Sequence, residues 1–227
     1  MCGRFVLMTP GRSLAEQFGL TEDVALPPRY NIAPTQFIAV IRTRPDDPAR
    51  TLAVLKWGLI PFWAKDPKIA ARLINARAET VAEKPAFRAA FKYRRCLIPA
   101  DGFYEWNKSG ARKQPYFIGM NDGKPFAMAG LWEHWVSPEG EAVESCAIIT
   151  TDANAMVREL HDRMPAIVDP ADYDVWLDPK VRDPKDLNPL LKPYPSADMK
   201  KFAVSPRVNR ATYDAADCLE AVEEAAL

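Results

Sequence analysis

The feature that most narrows the fold is a series of short β-branched and aromatic runs: FIAVIR (37–42), TLAVLKWG (51–58), RCLIPA (95–100), PYFIGM (115–120), FAMAGLW (126–132), SCAIIT (145–150) and KFAVS (201–205). Turn-forming clusters such as RPDDP, NDGKP and SPEG separate them, the pattern of a strand-rich chain. The NDG cluster reads as the tight connection of a hairpin. Helical stretches are fewer and scattered between the strands: SLAEQFG (13–19), KPAFRAAFKY (84–93), NAMVREL (154–160), ADYDVWL (171–177) and KDLNPLL (185–191). Asn154 and Asp172 stand where an N-cap or first-turn residue is expected. Without regular βαβ alternation, the order implies an α+β fold with a mostly antiparallel, curved sheet.

With 227 residues, 48% of them hydrophobic, the chain can bury a sizeable core, and no repeat, low-complexity tract or linker divides it. Residues 1–227 are therefore expected to form one domain, with the proline-rich stretch at about 178–199 as an exposed excursion. Thirty basic and thirty acidic residues cancel, so any polyanion site is a local patch and not a global field. The apolar run in MCGRFVLMTP is too short for a signal peptide, and no stretch approaches the roughly 18 apolar residues of a membrane span; the expectation is an intracellular protein with no membrane partner. Cys2, Cys96, Cys146 and Cys218 lie far apart and the chain has 2 histidines, which argues against a zinc site and a disulfide scaffold. Cys96 and Cys146 sit in apolar runs and read as core filler. No ligand cluster for a metal, nucleotide or redox cofactor is visible, and none is expected; no oligomer interface is legible, and a monomer is expected.

Four segments are polar where a core element would be apolar. In MCGRF, removal of Met1 would leave Cys2 with an α-amine (ordinary pKa about 7.7 to 8.0) beside a thiol (about 8.5), both partly nucleophilic near neutral pH. Such a 1,2-aminothiol converts an aldehyde first to a Schiff base and then to a thiazolidine; alternatively the thiol attacks an amide with the amine as base. Arg4 would lower both pKa values or grip an anion. In LINARAET (73–80), the Asn75 amide can donate to an oxyanion or sugar oxygen and Arg77 can fork onto phosphate. The plain alternative makes Asn75 a helix or turn cap and pairs Arg77 with Glu79 on the surface. In DGFYEW (101–106), strand alternation puts Phe103 and Glu105 on one face and Tyr104 and Trp106 on the other. Glu105 is then either a desolvated acid–base group or an edge-strand residue facing water. In ELHDRMPAIV (159–168), His161 stands where a helical pattern gives way to a strand, a setting for either a proton-handling or a structural histidine. His134, between two tryptophans, suits the structural role better.

Together MCGRF, RYNIAPTQ, WGLIPFWAKD, LINARAET, PADGFYEW, KQPYFI, the stretch from TTDAN to HDRMP, and AVSPRVN cover most of the chain. In that order and spacing they resemble the SOS response-associated peptidase (SRAP) family of abasic-site processing proteins. The resemblance implies a single SRAP-type domain with a barrel-like sheet and short flanking helices. It implies that Cys2, freed of Met1, reacts with the ring-opened aldehyde of an abasic site in single-stranded DNA and forms a thiazolidine crosslink. Asn75 is then expected to orient the sugar, Glu105 to act as acid and base at C1′ and the ring oxygen, and His161 to move protons at the opened sugar, with strand cleavage or reversal as side activities. Arg4 and Arg77 match phosphate-gripping positions, and Asn31, Thr150 and Arg163 auxiliary DNA contacts. Phe62 and Trp63 match an aromatic pair that packs on bases beside the lesion, with core packing as the plain alternative. The family name records a proposed autoproteolysis, here release of Met1, and the location implied is the cytoplasm or, in a bacterium, the nucleoid. Two departures stand out: Met1 acylates the Cys2 amine in the chain as encoded, and Met164 occupies a position where a second arginine sometimes follows HDR. The competing function classes are a cysteine hydrolase (amidotransferase or protease) built on Cys2, and a DNA-binding module with no covalent step.

Overall fold

The computed structural model describes residues 2–22, 25–44, 47–107 and 113–223. Its strands are β1 (Phe5–Leu7), β2 (Arg29–Ile32), β3 (Phe37–Arg44), β4 (Asp47–Trp57), β5 (Asn75–Arg77), β6 (Arg95–Ala100), β7 (Gly102–Asn107), β8 (Gln114–Met120), β9 (Phe126–Val136), β10 (Ala142–Asp152), β11 (Arg163–Pro165), β12 (Ile167–Val168) and β13 (Met199–Ala203). Five short α-helices lie among them: α1 (Gly11–Phe18), α2 (Arg88–Tyr93), α3 (Ala155–Arg158), α4 (Tyr173–Leu177) and α5 (Pro184–Leu187).

The strands build a barrel and a sheet. Around the barrel the order is β10-β4-β3-β6-β9, and β9 pairs back with β10, so the ladder closes and leaves no open edge. All its pairings are antiparallel except β10 with β4. The second, antiparallel sheet runs β13-β8-β7-β1-β2. One of its faces gives Phe5, Phe103 and Ile118 to the core shared with the barrel. The other face gives Val6, Tyr104 and Phe117 to a smaller cluster, capped by Val208 and Cys218 from two 3₁₀ turns of the C-terminal segment. The α+β class and the curved, barrel-like, largely antiparallel architecture are therefore those expected.

The expected hairpin at NDG is not formed. β8 ends at Met120 in the open sheet, whereas β9 begins at Phe126 in the barrel, so residues 121–125 carry the chain from one sheet to the other. Asn121 is tied instead to the backbone of Ala197 and Asp198, and Pro125, lacking an N–H, cannot start a ladder back onto β8. The helix expected over 84–93 is helical only from Arg88, because residues 84–87 close an i,i+3 turn. Asn154 does cap its helix, its Oδ1 accepting from Val157 N at 2.9 Å. Asp172 makes no side-chain cap; Asp169 serves there, accepting from Ala171 N at 3.0 Å. The 178–199 excursion is largely exposed but anchored by buried Leu187 and Leu191. Buried Arg95 satisfies carbonyls left over at the ends of two helices, donating to Phe91 and Lys92 beside α2 and to Trp176, Asp178 and Val181 around α4.

Candidate active site and nucleic-acid face

The site is assembled by strand pairing at the chain's start. β1 pairs antiparallel with β7 through Phe5 and Phe103, and Tyr104 N donates to Arg4 O at 3.0 Å. Continuing that register carries Gly3 and Cys2 alongside Glu105 and Trp106. Cys2 is fully buried. Its carbonyl accepts from Asn75 Nδ2 at 2.8 Å, and Asn75 is placed by β5, which pairs in parallel with β10. Asn75 Oδ1 is buried with no partner among the described residues, an acceptor held ready at the same point.

Glu105 is 3% exposed and lies on the core face with Phe103, while Tyr104 and Trp106 pack on the other, as alternation requires. β7 is flanked on both sides, so Glu105 is not an edge residue. Beside it opens a cleft of about 440 Å³ lined by Glu105, Trp106, Lys113 and Asn209, with Trp106 Nε1 donating to Asn209 Oδ1 at 2.7 Å. Burial first, and the Glu105 charge second, push the Cys2 thiol up from 9.0 to about 12. The thiol thus keeps its proton at neutral pH, and a thiolate is not the resting nucleophile here.

His161 follows α3 at the entry to β11, the helix-to-strand junction read from the sequence. Its Nδ1 accepts from Arg163 N at 3.0 Å and lies 2.7 Å from Asp162 Oδ1. These two contacts require different protonation states. Accepting the backbone N–H leaves a neutral ring with its proton on Nε2, whereas a protonated Nδ1 turns to the exposed Asp162 carboxylate.

The remaining residues divide into two groups. Asn31 is fully buried, donating through Nδ2 to the carbonyls of Val208, Arg210 and Tyr213, and accepting from Arg4 at 2.9 Å. Arg4 also donates to Val208 O, so its guanidinium is held against the C-terminal segment. Thr150 is buried, with Oγ1 donating to Ala76 O at 3.3 Å. Arg163 is 8% exposed and forks onto Glu79 at 2.8 and 2.9 Å while also reaching Asp152 and Thr150 O. Asn31, Thr150 and Arg163 are thus placed as supports inside the fold and not as open contacts. Glu79 pairs with Arg163, not with Arg77 as the plain alternative had it. Arg77 is exposed and makes no ion pair within 4 Å among the described residues, its charge reaching Glu79 only as a lesser influence after Arg163. Met164 is fully buried, its sulfur accepting from Asn154 N, so this position faces the core.

Phe62 and Trp63 are 58% and 47% exposed, which rules out core packing. The loop that carries them is fixed from behind: Gly58 N donates to Cys146 O, Ile60 N to Ser145 Oγ, and Trp135 Nε1 to Ala64 O. Gly58 has φ +131°, and a Cβ there would lie 2.8 Å from Ala70 O, so glycine is required where β4 turns into the loop. Trp135 escaped sequence reasoning because it carries no local motif, and although Glu79 and Asn209 lie within LINARAET and AVSPRVN, only tertiary contact gives them their places.

A mixed-strand barrel joined to an antiparallel sheet, with the penultimate N-terminal cysteine held between an asparagine and a buried glutamate, defines a cysteine-centred α+β protein. The chain belongs to the SOS response associated peptidase (SRAP) family, whose model matches residues 1–211. It is 44% identical to "Abasic site processing protein YoqW" of Bacillus subtilis (strain 168), over 97% of this chain and 99% of that one. It is 33% identical to "Abasic site processing protein HMCES" of Xenopus tropicalis, over 86% of this chain and 66% of the relative. Among solved structures, a protein from Bacteroides thetaiotaomicron superimposes with a TM-score of 0.87 at 29% identity, covering 97% of this chain and all of that one.

Proposed function

We propose that this protein, after loss of Met1, forms a covalent thiazolidine crosslink through Cys2 with the ring-opened aldehyde of an abasic site in single-stranded DNA. The names of its relatives support abasic-site processing, and the observation that carries the finer reading is the convergence of Cys2, Asn75 and Glu105. The α-amine adds to the aldehyde carbon, and the carbinolamine loses water to give an imine. The Cys2 sulfur then bonds to the imine carbon, and its proton is transferred to nitrogen, so one water is released overall. Burial that favours the protonated Cys2 thiol suits this order, with nitrogen leading, better than a hydrolase that needs a resting thiolate. Glu105 accepts and returns protons at C1′ and the ring oxygen, His161 serves the opened sugar, and Asn75 holds the nucleophile in place. Arg77 grips a phosphate and Phe62 and Trp63 stack on neighbouring bases, each stacked base contributing about 1 to 3 kcal/mol. Strand cleavage by the imine and removal of Met1 by the chain itself belong to the same reading.

The test is to mix Met1-processed protein with uracil-containing single-stranded DNA treated with a uracil glycosylase, and to look for a heat-stable band shift. Cys2→Ala should abolish the stable species and keep weaker, noncovalent binding. A full-strength, heat-stable adduct from Cys2→Ala would contradict the assignment.

A further inference from the structure

Arg77 and Glu79 stand two residues apart, one at the end of β5 and the other in the turn that follows. Left alone, such a carboxylate would neutralise the arginine and compete with any phosphate for it. It is not left alone. Arg163 takes both Glu79 oxygens in a fork at 2.8 and 2.9 Å, while its own position is fixed by Thr150 O and Asp152 at 2.7 Å each. A bidentate fork sets direction as well as charge. The pair is asymmetrically exposed: the Arg163 side chain is nearly buried, while that of Glu79 is 49% exposed and free to swing if released.

We propose that Arg163 is a positioning residue whose fork holds the Glu79 carboxylate away from Arg77, keeping that guanidinium open for a DNA phosphate. The inference rests on the reading of Arg77 as a phosphate contact. It assigns Glu79, an acidic residue in a face that binds a polyanion, the role of a restrained competitor. Asp152, the other carboxylate on Arg163, accepts from Nη1, the nitrogen that also serves one oxygen of Glu79.

The experiment measures noncovalent binding of the full chain to a single-stranded oligonucleotide carrying a tetrahydrofuran abasic analogue, which has no aldehyde, across a salt series. Glu79→Asp and Glu79→Gln both lose the fork, but only the aspartate leaves a released charge beside Arg77. Glu79→Asp should lower the salt slope by about 0.7, one phosphate contact on a single strand, and weaken binding roughly fourfold at 0.15 M salt. Glu79→Gln should keep the wild-type slope. Arg163→Lys, which keeps the charge and loses the fork, should behave like Glu79→Asp and be rescued by adding Glu79→Gln. Equal slopes for Glu79→Asp and Glu79→Gln would overturn the proposal, as would a failed rescue, which would make Arg163 itself the phosphate contact. Arg77→Ala isolates the underlying reading: if its slope equals that of the wild type, Arg77 grips no phosphate.

Discussion

Asn75 offers the sharpest test of how the nucleophile is held. Its Nδ2 donates to the Cys2 carbonyl at 2.8 Å, a contact that fixes the residue whose nitrogen and sulfur must both reach one carbon. Asn75→Asp keeps the shape and replaces the donor with an anionic oxygen opposite that carbonyl, near Glu105. The lost hydrogen bond and the repulsion between that oxygen and the carbonyl together amount to about 2 to 3 kcal/mol. If that acts on the reacting geometry, crosslinking slows roughly 30- to 150-fold. Asn75→Ala removes the donor without adding charge and should lose about 1 to 2 kcal/mol, slowing the reaction roughly 5- to 30-fold. The assay is single-turnover crosslinking with processed protein in excess over glycosylase-treated DNA, quenched in denaturant, with thermal unfolding measured in parallel to exclude misfolding. An aspartate variant at the wild-type rate would refute the reasoning. Alanine slower than aspartate would also do so, since both Asn and Asp keep an oxygen at Oδ1 and the donor would then be irrelevant.

Other perturbations follow from the same contacts. Trp135→Phe keeps the packing under the Phe62–Trp63 loop and removes the bond to Ala64 O. It should destabilise the protein by about 1 to 2 kcal/mol, roughly 3 to 6 °C in Tm, and weaken single-strand binding with the salt slope unchanged. Thr35 is a β-branched residue at φ +72°, exposed and strained, so Thr35→Gly should stabilise the fold by about 1 kcal/mol after the entropy of the added glycine; a lower Tm would mean that the threonine side chain anchors the loop. The Cys2 thiol has its folded pKa raised from 9.0 to about 12, so above pH 9 the unfolded chain loses this proton first and stability falls as pH rises towards 12. Cys2→Ala should therefore flatten the alkaline stability curve by about 1.4 kcal/mol per pH unit in that window, as read by urea unfolding; an unchanged slope would contradict the burial argument.

Much of the architecture was legible because strand runs bounded by turn residues are a local signal. All seven such runs became strands, and alternation alone sorted Glu105 from Trp106. The short strands β1, β2 and β5 were not legible as strands, since three or four residues carry no periodicity and are held by their neighbours' ladders, whereas the strand after His161 was read from the sequence without its division into β11 and β12. NDG failed for a related reason: a turn sequence specifies a reversal, not which sheet the next strand joins. In the site, residue type suggested chemistry for Cys2, Asn75 and Glu105. It did not separate open side chains from committed ones. Arg4, Arg77 and Arg163 look alike in sequence, yet one is held against the C-terminal segment, one is exposed and one is locked onto Glu79.

The most direct test is the chemistry of the adduct itself. Processed protein should be crosslinked to an abasic oligonucleotide without reductant, digested, and the Cys2 peptide–nucleotide species weighed and challenged with a thiol alkylator. A thiazolidine predicts a mass one water below the sum of the partners, survival without borohydride, and a Cys2 sulfur that no longer alkylates. An adduct that dissociates unless reduced, or one whose Cys2 thiol still takes the alkylator, would show that sulfur never closed the ring.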